Sequence, residues 1–315
     1  MKRAGFLLAA FALLGGACSK HYLAARPPAA PSAPEAVRHE TGFFTGAGGL
    51  QIFEQSWHPA GAPRGVLIVV HGLLDHGSRY AAFAEELVGR GFAVYALDLR
   101  GHAHSEGGRV WVKHFDEYLE DLDVLLARVR AAEPGRPVFL FGHSMGGAIV
   151  TLFTVTRKPD VAGVVLSGAA LGIDAPGVQL FGLKVIAALA PHAGALKLKL
   201  KDFSRDPAVV AACEADPLVW HKATPARTAK ELVKAVRRIE KSMEDVTVPL
   251  LVLHGTADAV TPPRGSKALF DRARSVDKAL KLYGDFFHDL LHEPDHARVS
   301  ADIAAWLEAH AAAHP

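Results

Sequence analysis

The run from Phe139 to Val150, FLFGHSMGGAIV, limits the folds open to this chain more than any other stretch. Val138 to Phe141 is a short apolar run after Pro137 and reads as a buried strand; Met145 to Val155 carries the small and branched apolar residues of a buried helix. Between them stands Gly142-His143-Ser144-Met145-Gly146, a G-x-S-x-G pattern. Its glycines leave room for a strained strand-to-helix turn that lifts a serine hydroxyl clear of a sheet edge. A plain glycine loop is the bland alternative. The strand before and the helix after favour an activated nucleophile at Ser144.

Such a turn needs a parallel sheet around it, and the flanking sequence supplies strand and helix signals in alternation. Thr41 to Thr45 and Leu50 to Trp57 flank a Gly-rich turn and predict an opening hairpin. Val66 to Val70 (VLIVV) is continuously apolar, as in a strand covered on both faces. Ser78 reads as the N-cap of a helix ending before Gly91. Phe92 to Leu97 and Gly163 to Ser167 read as strands, and Phe115 to Ala132 as an amphipathic helix. The alternation stops over 171–247, which holds helical patterns and no comparable buried strand. It resumes with Pro249 to Leu253, Lys278 to Tyr283 as the last strand, and a final helix from Asp295 to His310. The expectation is an α/β fold: a mostly parallel, doubly wound sheet over 41–170 and 248–312, flanked by helices. Residues 171–247 would form a helical cap over its carboxyl edge.

A serine hydroxyl is a poor nucleophile at neutral pH and needs a base, an orienting acid and donors for an oxyanion. Around a turn of this kind the acid and then the base follow later in the chain, beyond later strands. PLLVLHG is followed by Asp258, and KALKLYG by His288. With 17 histidines in the chain, position must choose among them. His288 is the candidate base and His292 its alternative, whereas His71, His76, His102, His143 and His254 read as structural. Asp245 precedes its strand, Asp271 falls within a helix, and Asp285 and Asp289 lie too near His288 in sequence, which leaves Asp258 as the acid. The oxyanion donors would be the backbone N–H groups of Met145 and of Leu73, in the loop 71–76.

Charge and cysteine usage remove other classes. Lys and Arg total 35 against 33 Asp and Glu, so there is no nucleic-acid footprint. Cys18 and Cys213 are too few for a disulfide framework or a cysteine metal site. Lys2 and Arg3, the apolar run Ala4 to Leu14, then Gly-Gly-Ala before Cys18 read as a signal segment over 1–18, with Cys18 placed like the lipidated cysteine of a bacterial lipoprotein. An ordinary exported protein and an uncleaved anchor are the other readings; Gly15 stands where leucine is usual. Residues 19–40 are a Pro/Ala-rich linker, and in polyproline form residues 21–36 would reach up to about 50 Å from an anchor.

The stretches HGLLDHGSRY (71–80), DLRGHAHS (98–105), GHSMGG (142–147), SRDPAVVAACEADPL (204–218), VPLLVLHGTADAVTP (248–262) and HDLLHEP (288–294) resemble the monoacylglycerol lipase and lysophospholipase branch of the α/β-hydrolases, grouped with serine aminopeptidase-like hydrolases. The resemblance covers roughly residues 40–310. It implies cleavage of a carboxylic ester through an acyl-enzyme on Ser144, with His288 and Asp258 completing the triad and neither metal nor organic cofactor required. An acyltransferase or peptidase with the same triad, and a non-catalytic lipid-binding lipoprotein, are the rival readings. Two positions depart from the family: Ala103 replaces a glycine in the RGHG turn, and Gly284-Asp285-Phe286 stands for Pro-Gly-Ala before the base. Within the cap, Val178 to Ala190 is apolar around most of its circumference, and LKLKLK (196–201) alternates strictly. The first reads as a helix packed against an acyl tunnel and the core or docked on a membrane, and the second as a solvated loop edge or a basic face toward anionic lipid. An apolar cap beside a membrane anchor favours acyl glycerols or lysophospholipids, an acyl-ester lipid substrate, over small soluble esters, with membrane association through Cys18 and the cap.

Overall fold

The computed structural model describes residues 37–313. The expected signal segment, Cys18 and most of the expected linker lie outside them. The linker ends earlier than expected, because β1 (Arg38–Thr45) already pairs antiparallel with β2 (Gln51–His58) from Arg38 onward. Six further strands complete an eight-stranded sheet: β3 (Gly65–Val70), β4 (Phe92–Leu97), β5 (Val138–His143), β6 (Gly163–Ser167) and, after an interruption, β9 (Leu250–Gly255) and β10 (Lys278–Tyr283). Their order is β1-β2-β4-β3-β5-β6-β9-β10, and every pairing from β4 to β10 is parallel. The central strands β3, β4, β5, β6 and β9 are buried at every residue, which is why they read as unbroken apolar runs.

Side chains divide between the two faces with period two. Val66, Ile68 and Val70 join the cluster beneath α2 (Asp116–Ala132), α3 (Met145–Arg157) and α7 (Pro263–Arg272). Leu67 and Val69 join the cluster beneath α1 (Ala81–Gly89) and α8 (His296–Ala312), where Phe83, Val299, Ile303 and Leu307 are buried. Each such side chain stabilises by about 1.5–3 kcal/mol, so a one-residue slip of a central strand would exchange two cores at once. Helix α3 is buried along Met145–Val155.

One helix start differs from expectation. Ser78 does not cap α1: it lies in a 3-10 turn, Gly77–Tyr80, and its hydroxyl is engaged with Gln55 of β2. The Gly77 N–H is taken by the buried Asp98 carboxylate, which also holds the 98–105 turn through the His104 N–H.

Between β6 and β9 the chain runs through α4 (Gly177–Leu189), β7 (Gly194–Leu196), α5 (Pro207–Ala215), β8 (Thr224–Pro225) and α6 (Ala226–Ser242). The two short strands pair with each other and not with the main sheet. LKLKLK is strand only at its start, yet its alternation survives: Leu196, Leu198 and Leu200 are half-buried, and Lys197, Lys199 and Lys201 face solvent. Among the described residues no helix is long and apolar enough to cross a membrane.

Candidate active site

The turn from β5 to α3 is built by what its glycines lack. A Cβ on Gly146 would come within 2.1 Å of the Val70 carbonyl oxygen, and one on Gly142 within 2.6 Å of the Gly146 oxygen. With both absent, Ser144 takes φ 53°, ψ −119°, an arrangement that costs about 1–3 kcal/mol and is held by the packing around it. Its side chain is aimed at the two residues expected from chain order. Ser144 Oγ donates to His288 Nε2 at 2.8 Å, and His288 Nδ1 donates to Asp258 Oδ2 at 2.8 Å.

All three residues are buried. Burial works to raise the Asp258 carboxyl, but the facing His288 and the hydrogen bonds from His254 and His288 outweigh it and hold the group well below the ordinary carboxylate range. Oδ1 accepts from the Val260 and Thr261 N–H groups at 2.7 and 2.9 Å. The Thr261 hydroxyl sits 2.8 Å from Asp258 Oδ2, 2.9 Å from the Gly168 carbonyl and 3.2 Å from His288 Nδ1. On the other side His254 Nε2 reaches Asp258 Oδ2 at 3.1 Å, while its Nδ1 bonds the Ser266 hydroxyl. His254 thus touches the acid, and Thr261 touches both acid and base. In sequence His254 reads as structural and Thr261 carries no signal of its own, although both lie within four residues of Asp258.

Leu73 and Met145, the expected oxyanion donors, both lie beside Ser144. A Cβ on Gly72 would lie 3.1 Å from Ser144 Cβ, so the loop 71–76 packs directly on the β5–α3 turn, and Leu73 and Met145 line the same cavity as Ser144. The Met145 N–H is one of the unpaired donors at the start of a helix. His71 fixes the loop from below: its Nε2 accepts from the Leu99 N–H at 2.9 Å and its Nδ1 donates to the Gly72 carbonyl at 2.7 Å. Burial lowers His71 and pushes His143 down to about 4, leaving both as neutral supports. His143 donates to the Ser167 carbonyl, and its ring packs on that of His288.

The alternative base is elsewhere. His292 bonds Asp289 and the Arg79 carbonyl, and Asp289 in turn takes Arg79 Nη2. The loop carrying His288 is held by residues far off in sequence. Phe203 accepts the Asp289 N–H at 2.7 Å and sets its ring edge-on to His288; Ser204 donates to the His292 carbonyl; Arg205 pairs with the buried Glu293.

From Ser144 a cavity of about 650 Å³ runs under α4 and α6, lined by aliphatic side chains such as Leu180, Leu183, Leu196, Leu232 and Val236. Its charged lining residues are Asp174, Asp258 and Arg264; Asp258 faces His288, and Arg264 Nη1 donates to Asp174 at 2.9 Å.

The family described as serine aminopeptidase, S33, matches over residues 61–295. The chain belongs to this family. A monoacylglycerol lipase of Mycolicibacterium smegmatis is 37% identical over 269 residues, spanning 85% of this chain and 96% of the relative. The monoglyceride lipase of Homo sapiens is 33% identical over 250 residues, spanning 78% and 82%. The crystal structure of a Paleococcus ferrophilus monoacylglycerol lipase superposes with a TM-score of 0.75 at 31% identity, covering 82% of this chain and 99% of that one. The fold of this S33 member is that of the α/β-hydrolases, and its two departures from the family now have a physical reading. Ala103 has φ 38° and Asp285 φ 62°, so each places a side chain where the backbone is left-handed and glycine is at ease.

Proposed function

We propose that this serine hydrolase cleaves the ester bond of a monoacylglycerol through the triad Ser144, His288 and Asp258. The observation that carries the reading is the hydrogen-bonded line Asp258–His288–Ser144 opening into an aliphatic cavity. Ser144 Oγ attacks the carbonyl carbon as His288 Nε2 takes its proton, and Asp258 stabilises the imidazolium that forms. The carbonyl oxygen becomes an oxyanion facing the N–H groups of Met145 and Leu73. Collapse breaks the ester bond and His288 protonates the departing glycerol alkoxide. Water then attacks the acyl-enzyme with the same residues in reverse roles and releases the fatty acid.

The choice of a neutral head group follows from the lining. Arg264 is already held by Asp174, so a lysophospholipid phosphate would meet no unpaired cation among the cavity's residues. By the same pairing a peptide's α-ammonium would find no free carboxylate. Residues 171–247 act as the cap that shapes this cavity. The chain is exported and held in the cell envelope through a lipid on Cys18, with the apolar outer face of α4 adding membrane contact; the signal-like residues 1–18 and the exposed Val178, Phe181 and Leu189 support this.

A hydrolysis panel tests the reaction: fatty-acid release from monoacylglycerols should exceed release from lysophosphatidylcholine of the same chain length, and Ser144→Ala should abolish both. Acyl transfer to an added alcohol outrunning hydrolysis would sink the hydrolase assignment. Cys18→Ser should move the protein out of the membrane fraction.

A further inference from the structure

Away from Ser144 the chain builds a second line of hydroxyl, imidazole and carboxylate. It starts on β2, where residues 54, 56 and 58 share one face of the sheet. Ser56 and His58 are neighbours on that face, with Ser56 Oγ 2.9 Å from His58 Nε2. His58 Nδ1 stands 3.4 Å from Glu133 Oε1, at the end of α2, and the Tyr95 hydroxyl donates to the same oxygen at 3.2 Å. The Tyr95 ring meets the imidazole edge-on, with centroids 5.4 Å apart, and fixes its plane.

A carboxylate only accepts, so the Nδ1 facing Glu133 carries the imidazole proton and Nε2 is left to accept from the Ser56 O–H. Burial, with Arg38 nearby, lowers His58 against the opposing Glu133 and Glu40, and the ring is neutral at pH 7. A general base needs that state. The order of groups repeats Ser144, His288 and Asp258, with a longer step to the acid.

These side chains open on a cavity. Ser56, His58 and Tyr95 line a space of about 360 Å³ between the β1–β2 hairpin and the end of α2, with Glu40, Glu54 and Arg128 on its walls. It shares no lining residue with the ester cavity at Ser144. An oxyanion hole is what it lacks. β2 is paired on both sides here, with Glu40 of β1 and Tyr95 of β4 opposite Ser56, so its backbone N–H groups are taken up by the sheet. Arg128 already gives Nε and Nη2 to Glu54. A poor leaving group would therefore stay in place, whereas an aryl or thio ester, whose leaving group departs unaided, can be attacked.

We propose that Ser56 is a second nucleophile of this chain, which takes the acyl group of a small activated ester and keeps it. Oγ bonds to the carbonyl carbon as its proton passes to His58 Nε2, and the bond to the phenolate or thiolate breaks. The leaving anion takes the proton from His58 or departs without it, and Ser56 is left as an O-acyl ester. Hydrolysis of that ester would have to expel an alkoxide with no oxyanion donors, so the adduct accumulates and the site reacts once. Nothing in this depends on which ester Ser144 cleaves.

The test uses the full chain carrying Ser144→Ala, with para-nitrophenyl acetate as the acyl donor. Nitrophenolate should appear in a stoichiometric burst without turnover, and peptide mapping should place an acetyl group on Ser56. Hydroxylamine should remove that group, since it cleaves serine esters and leaves the amides of acetylated lysines. Adding His58→Gln should slow acetylation of Ser56 by about 100-fold, the loss of a general base, and adding Glu133→Gln should slow it by about tenfold. Circular dichroism melts report whether each variant is folded. A folded Ser144→Ala protein with no acetyl group on Ser56 overturns the proposal, and this result needs no further variant. So does acetylation at an unchanged rate after His58→Gln, since Ser56 and His58 would then be only a hydrogen-bonded pair.

Discussion

Arg205 Nε donates to Glu293 Oε2 at 2.5 Å, joining the residues that lead into α5 to the loop that follows His288. Glu293 also accepts from the Arg205 and Phe287 N–H groups, and the Arg205 guanidinium lies over the Phe286 ring at 4.7 Å. The segment assigned to the proposed cap thus also braces the loop that carries His288.

Arg205→Ala should therefore harm turnover without touching substrate. It leaves Glu293 buried and without its partner, at a cost on the order of 2 kcal/mol, less than for a fully buried pair because the Arg205 side chain keeps 30% of its surface exposed. Thermal melts should show the lower stability. Kinetics on a short soluble ester should show kcat falling with KM little changed, and Arg205→Lys should recover part of the loss.

Thr261→Val separates the support of the triad from the triad itself. It removes the hydroxyl that lies against Asp258 Oδ2, His288 Nδ1 and the Gly168 carbonyl, and leaves the chain nearly isosteric. A fall in kcat of about tenfold, far short of the roughly 10⁶-fold expected for Ser144→Ala, is the expected outcome. An unchanged kcat would mean that the two backbone donors to Oδ1, with His254 and His288 on Oδ2, hold the carboxylate without the hydroxyl.

Removing the Cβ at Ala103 should relieve strain. Ala103→Gly is expected to raise stability by roughly 0.5–1 kcal/mol, the relief of a left-handed alanine less the added freedom of glycine in the unfolded chain. Asp285→Gly should give less, because aspartate tolerates this region better. The reverse change in the β5–α3 turn should be severe. Gly146→Ala drives a Cβ into the backbone oxygens of Val70 and His71, and should yield little folded protein by circular dichroism.

Stability should fall on mild acidification, with a sign fixed by the buried histidines. His143 and His102 are pushed down by burial to about 4 and about 3, so between pH 6.5 and 4 the unfolded chain binds the more protons and each pH unit lost favours unfolding. His292, raised by Asp289 against its burial, acts the other way: its contribution is complete below pH 6.5 and is lost above its folded value. Asp258 and Asp289, both held low, add their loss only below about pH 3.8, as pH falls toward their folded values. Urea midpoints measured from pH 7 to pH 4 should fall steadily, and less steeply in His143→Asn.

The central strands and the meeting of Ser144, Asp258 and His288 were legible because they are local or sequential. VLIVV and FAVYAL are apolar at every position since helices cover both faces, and Asp258 and His288 each follow a strand closely. Hidden from the sequence were contacts between distant segments. Ser78 looks like a helix cap until Gln55, 23 residues earlier, occupies its hydroxyl. Arg205 and Glu293 are 88 residues apart, and no periodicity links them. The left-handed backbone at Ala103 and Asp285 was visible only as a mismatch with the family's glycines.

The cap's two fastenings restrict how this enzyme could be re-engineered. Residues 203–205 hold the loop that carries His288, while Asp216 accepts from His76 and the Trp220 N–H donates to the Leu74 carbonyl, which fixes the loop 71–76 of the proposed oxyanion donor Leu73. A transplanted cap that supplied a new acyl pocket without these two clamps would deliver substrate to a slackened serine. Chimaeras that exchange 171–202 and keep 203–220 native should change chain-length preference while retaining rate, whereas exchange of the whole insertion should cost rate on every substrate.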